Sequence, residues 1–185
     1  MARTAQIPLD IDRVVAAAFA QLEADGLDGL SMRRLGSRLG VQAPALYWHV
    51  GDKAELLGLM AREIYARAYA AVPPQTDWRS WLLSFGQALR GAFASCRDAA
   101  RLCAIARAPR DADIAERARR IAAPLVALGL DQGRAVSCQA SVISFALGWA
   151  SFEANGPMHD YLDEMLNFDE SFETGLAALV RGFEE

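Results

Sequence analysis

Along most of the chain apolar residues return at three- and four-residue steps, the spacing of one helical face, and no alternating run with a hairpin turn interrupts them. The first such stretch is residues 9–25, where Ile11, Val14, Val15, Ala18, Phe19 and Leu22 share a face and Gly26 stops the run. Ser31 is placed to cap a short second helix through Leu39, with Met32, Leu35 and Leu39 inward and Gly40 free to turn left-handed at its end. A third helix begins after Val41. Pro44 suits its first turn, where a missing N–H costs nothing, and Gly51 follows its end. Asp52 and Glu55, three residues apart, read as the capping box of a fourth helix over residues 52–71, which stops before Pro73-Pro74. Beyond that break the expected helices are longer and more apolar: residues 77–95, 98–107, 111–128, 131–155 and 169–183, with a short one in 158–166. Asp111 and Asp131 stand just ahead of helical runs, where a carboxylate accepts free N–H groups and meets the positive helix end. The predicted fold is all-α, with nine to ten helices.

Composition narrows the function. At 185 residues and 53% hydrophobic the chain can bury a sizeable core. No uninterrupted apolar stretch reaches the roughly 18 residues of a bilayer span, and the first ten residues lack the apolar centre of a secretion signal. The expected setting is therefore cytoplasmic, with no membrane partner. Cys96, Cys103 and Cys138 are odd in number, lack CxxC spacing and fall in apolar helical patterns, so they read as buried thiols. No nucleophile–base pairing, glycine-rich phosphate cradle or metal-ligand spacing appears, which argues against an enzyme, a cofactor and a metal site. Charge is uneven beneath a net −4. From Ser31 to Lys53, Arg33, Arg34, Arg38 and Lys53 face only Asp52, a balance of +3, whereas residues 153–185 carry a balance of −8. One end of the molecule can meet a polyanion that the other repels.

The basic end also has the pattern of a helix-turn-helix: two short helices separated by Leu39-Gly40-Val41, with Gly40 permitting the turn and Val41 plugging it. In such a unit the second helix enters the major groove and its first residues reach base edges. Ala43 and Ala45 keep that helix slim and offer methyls to thymine, Gln42 can pair with adenine, and Tyr47, Trp48 and His49 can donate to phosphates. Leu46 and Val50, four apart, face inward. Lys53, the single lysine, stands in the first turn of the next helix, where ammonium and helix end both favour phosphate. Arg33 and Arg34 fit phosphate contact and a solvated face equally well.

Residues 9–71 resemble the N-terminal domain of TetR-type transcriptional regulators, chiefly through "LSMRRLGSRLGVQAPALYWHVGDKAELL" with its Leu-Tyr-Trp-His-Val run and Lys53. The resemblance implies operator contacts from Met32, Arg33, Gln42, Ala43, Pro44, Ala45, Tyr47, Trp48, His49 and Lys53. The alanines at 43 and 45 replace larger polar residues that read bases in the tetracycline repressors, so operator sequence does not carry over. The second half resembles that branch through Asp77-Trp78, Arg97-Asp98-Ala99-Ala100-Arg101-Leu102 and the closing "FETGLAALVRGFE". This implies a helix-turn-helix domain over residues 1–53, linked by helix 52–71, and an all-helical ligand-binding and dimerisation domain over 54–185. The expected product is a homodimeric repressor of a palindromic operator released by a small-molecule effector.

Within the second half, an ungapped alignment from Trp78 puts the branch's drug-binding Asn, Phe, His and Thr at Phe85, Leu89, Cys103 and Ala106. The metal-binding imidazole is thereby lost, which argues against a magnesium–tetracycline complex. An apolar or aromatic effector is expected against Phe85, Leu89, Phe93, Cys103, Phe145 and Trp149, with Arg107 as polar anchor; core packing is the competing role of each aromatic. The alternative function is a helical ligand-binding or interaction module without sequence-specific DNA binding.

Overall fold

Short polar side chains open most of the helices. The computed structural model describes residues 9–107, 113–154 and 156–184, and within them ten α-helices and no strand. Asp10 accepts from the Arg13 N–H at 2.8 Å and starts α1 (Ile11–Gly29), which is broken at Gly26, where φ is 69°. Ser31 caps α2 (Met32–Leu39), and Gly40 ends it at φ 70°. Then come α3 (Ala43–Val50) and α4 (Lys53–Ala71), the latter capped by Asp52, which accepts from the Glu55 N–H at 2.7 Å. Asp77 opens α5 (Trp78–Ala94), Asp113 opens α7 (Ile114–Val126) and Asp131 opens α8 (Gln132–Glu153). Between α5 and α7 lies α6 (Ala99–Ile105); after α8 come α9 (Gly156–Asp163), α10 (Phe168–Arg181) and a 3-10 turn over Gly182–Glu184.

Two helix boundaries need correction. The sixth helix stops at Ile105 rather than Arg107, with Ala106 extended. Asp98 precedes α6 but makes no side-chain cap, because it sits at φ 56° with its carboxylate turned elsewhere. The last helix runs from Phe168 to Arg181 rather than over 169–183, because Asn167 caps it by accepting from the Glu170 N–H at 3.0 Å. Asp111 lies outside the described residues, as does Asn155.

The first three helices form the helix-turn-helix unit, α4 leads from it into the C-terminal helical domain, and α5 lies at that domain's centre. Trp81, Leu82, Phe85, Leu89 and Phe93 of α5 are buried, and α5 packs against α4, α8 and α10. Composition and length would let α8 cross a membrane, yet its Ala135, Cys138, Val142, Ala146 and Ala150 are buried in the core. Burial there is worth roughly 25 cal/mol per Å² of apolar surface, and it fixes which face of α8 remains outside.

Candidate functional site

On α3 the two faces differ completely. Leu46 and Val50 are fully buried, whereas Trp48 is 91% exposed and Tyr47 47% exposed. Gln42 and Pro44 are exposed as well, and Ala43, Ala45 and His49 are partly so. The turn before the helix is tight: the Val41 N–H donates to the Gly36 carbonyl at 3.0 Å, and a Cβ on Gly36 would lie 2.9 Å from the Val41 oxygen. That close approach of α2 to α3 is a requirement the sequence pattern did not reveal. A side chain there would have to push backbone aside, so Gly36→Val should cost about 1–3 kcal/mol and lower Tm in a thermal melt. A melt at or above the parental Tm would show that α2 and α3 are not packed this closely.

Basic groups flank this face. Arg33 and Lys53 are exposed, at the start of α2 and of α4 respectively. Met32 is buried in the core of the unit, as its place on the inner face of α2 predicts, which takes its side chain out of the operator contact that the resemblance implies. Only its backbone N–H, in the unpaired first turn of the helix, is suited to meet an anion.

The expected effector residues fall into two separate aromatic groups. Phe85 stacks with Trp81 at 4.9 Å between ring centroids and with Tyr69 at 4.6 Å, and Phe93 meets Tyr65 edge-on at 6.2 Å. Leu89 is fully buried and Cys103 nearly so. Burial pushes the Cys103 thiol up to about 12, so it stays protonated, in hydrogen-bond contact with Tyr65. On the other side, Phe145 and Trp149 stack at 5.8 Å and both contact Phe172, with Gly175 making room for the Phe145 ring. The Trp149 Nε1–H is buried without an acceptor among the described residues. Arg107 is exposed, and its backbone carbonyl is seated over Gly58 of α4, where a Cβ would come within 2.6 Å.

Sequence reasoning missed the polar pair in this core. Gln139 is fully buried; its Oε1 accepts from the Tyr69 hydroxyl at 2.6 Å and its Nε2 donates to the Ile121 carbonyl at 2.8 Å, tying α4, α7 and α8 together. Desolvation raises the Tyr69 hydroxyl to about 12, which keeps it a donor. Nothing local to Gln139 marks a partner 70 residues away.

Comparison with known proteins decides what this arrangement belongs to. Residues 14–60 match the family model of bacterial regulatory proteins of the tetR family. The class A tetracycline repressor of transposon 1721 from Escherichia coli is 33% identical, over 94% of this chain and 90% of the repressor. The chain belongs to the TetR family. Among solved structures, a TetR variant from Acinetobacter baumannii in complex with minocycline is similar at TM-score 0.78 and 34% identity, covering 96% of this chain and 97% of that one. The TetR-family protein ActR of Streptomyces coelicolor, in complex with (S)-DNPA, is similar at TM-score 0.76 and 29% identity, covering 96% and 98%. This TetR-family protein is accordingly a ligand-responsive, DNA-binding transcriptional regulator and not an enzyme.

Proposed function

We propose that the regulator is a cytoplasmic repressor that binds a palindromic operator as a homodimer and lets go when a small apolar or aromatic effector enters the C-terminal helices. The observation that carries the DNA half is the division of α3: a helix that keeps Leu46 and Val50 fully buried while holding Trp48 at 91% exposure has a face made for a partner. Gln42, Ala43, Pro44 and Ala45 enter the groove, and Arg33, Tyr47, Trp48, His49, Lys53 and the Met32 N–H meet phosphates. The dimer reading is supported by small exposed residues at helical spacing, Ser137, Ala140, Ser144, Gly148 and Ser151 on α8 and Thr174 and Ala178 on α10, which let a second copy approach closely. Two copies of α3 about one duplex turn apart, roughly 34–36 Å, would match a palindrome.

For the effector, Cys103 stands where the tetracycline repressors carry a metal-binding imidazole. A protonated thiol is a poor ligand for hard magnesium, so the molecule recognised differs from a magnesium–tetracycline complex. Either aromatic group, Phe85 and Phe93 beside Leu89 and Cys103 or Phe145 with Trp149, suits a flat apolar molecule, with the exposed Arg107 as its polar anchor. Because α4 joins the head to the core, an effector preferring one core packing changes the spacing of the two heads. A tenfold loss of operator affinity needs only about 1.4 kcal/mol of coupling. Fluorescence anisotropy with a palindrome from beside its gene tests the docking. Tyr47→Ala and Lys53→Ala are each expected to weaken binding about tenfold, about 1.4 kcal/mol, with unchanged thermal melts. Parental affinity in both variants at matched salt would remove the docking model.

A further inference from the structure

Between α1 and α2 runs a groove of 570 Å³ that the reading helix does not use, lined by Gln21, Asp25, Arg33, Arg34, Ser37 and Arg38, with Ser31 at its end. Its floor is Gln21, 1% exposed. The Gln21 Nε2 donates to the Gly29 carbonyl at 3.2 Å, which fixes the orientation of the amide. Oε1 is therefore left buried without a donor among the described residues, an unfavourable state for a polar atom. Donors in the same groove are the three guanidiniums. Arg34 Nη1 leans on the Asp25 carboxylate at 3.4 Å, a long and exposed pair, whereas the Ser37 hydroxyl is turned to the Arg33 carbonyl at 3.2 Å. Three cations against one carboxylate leave the groove at +2.

We propose that this groove is a phosphate subsite, in which Arg34 and Arg38, with Arg33 at the edge, take a backbone phosphate of duplex DNA flanking the stretch that α3 faces. A guanidinium that gives one N–H to Gln21 Oε1 is held with its remaining donors outward, which makes Gln21 a positioning residue. Asp25 opposes the phosphate and parks Arg34 until DNA arrives. This inference rests on the DNA-reading face proposed above and extends it from Arg33 to Arg34, Arg38 and Gln21, which the family resemblance does not mark.

The test measures DNA affinity by fluorescence anisotropy between about 50 and 200 mM salt, on the palindrome and on a random duplex. For the double variant Arg34→Gln/Arg38→Gln the slope of log K against log salt is expected to become shallower by about 0.9 for each phosphate no longer neutralised, equally on both duplexes. Asp25→Asn is expected to raise affinity, and Gln21→Leu, which also loses the bond to the Gly29 carbonyl, to flatten the slope while a thermal melt shows it folded at the assay temperature. An unchanged slope in the arginine variant overturns the subsite even if affinity falls, and an unchanged slope in Gln21→Leu overturns its positioning role. Tyr47→Ala and Lys53→Ala run alongside: if they too leave binding unchanged, the reading face itself is wrong; if they weaken it and the arginine pair does not, only the subsite falls. Exchanging chloride for inorganic phosphate at constant ionic strength should displace DNA from the parent more than from the double variant. Phosphorus NMR showing bound free phosphate with an unaltered DNA slope would assign the groove to a free ion and overturn the DNA assignment.

Discussion

Phe172→Ala is expected to cost about 3–5 kcal/mol of stability, the usual toll of emptying a large aromatic site. Phe172 is 1% exposed on α10, and its ring lies 5.3 Å from Phe145 and 5.9 Å from Trp149. The Arg90 guanidinium stands 4.9 Å over its centroid, and the same guanidinium pairs with Glu153 and, at 2.7 Å, with Asp169. The phenyl ring thus supports a cation that ties α5 to the end of α8 and the start of α10. Removing it opens a cavity and leaves Arg90 without its apolar floor, although the ion pairs persist. Because α8 and α10 carry the proposed dimer surface, the variant should also dissociate at higher protein concentration than the parent. Urea unfolding and sedimentation equilibrium measure the two effects, and Phe172→Leu, which keeps much of the volume, should recover most of both. A loss below about 1 kcal/mol would mean that α10 is not seated as described.

What the sequence made legible is whatever depends on near neighbours along the chain. The caps at Ser31, Asp52 and Asp131, the break at Gly26 and the left-handed end at Gly40 all follow from local backbone chemistry, and the structure places them there. The inward pair Leu46 and Val50 follows from spacing alone. Features that join distant segments left no such trace. The Tyr69–Gln139 bond spans 70 residues, the Arg90–Glu153 pair 63, and the bond from Leu27 to Asp98 71. Met32 shows two readings in conflict: resemblance put it at the DNA, helical spacing put it inward, and its side chain is buried, where a methionine is well used in packing. Asp98 shows a distant partner overriding a local preference. It precedes a helix, as a cap does, yet its carboxylate answers a stronger demand across the molecule.

That demand sets the second large effect, at the contact between α6 and α1. The break at Gly26 leaves the Leu27 N–H without a helical partner, and Asp98 Oδ2 accepts from it at 2.8 Å. Beside it the Arg97 guanidinium donates to the Glu23 and Ala24 carbonyls, and Arg101 pairs with Asp28 at 2.7 Å. Asp98 reaches this position at φ 56°, the one positive φ outside glycine among the described residues. An aspartate tolerates that backbone better than an alanine. Asp98→Ala therefore loses the acceptor and adds strain, together about 2–4 kcal/mol. Asp98→Gly relieves the strain but leaves the N–H bare, and Asp98→Asn keeps both the tolerated backbone and an oxygen. Stability in urea should rank Asn above Gly above Ala, and hydrogen exchange at the Leu27 amide should accelerate in Gly and Ala but little in Asn. The Arg101 guanidinium holds the Asp28 carboxyl below the usual carboxylate range. The stabilisation from that pair is present above the ordinary range and is lost as pH falls through the depressed value, so the ranking belongs near neutral pH. If Ala and Gly exchange the Leu27 amide no faster than the parent, the bond from Asp98 does not hold the head. A uniform loss without any change at Leu27 would place the strain, and not the contact, at the origin of the effect.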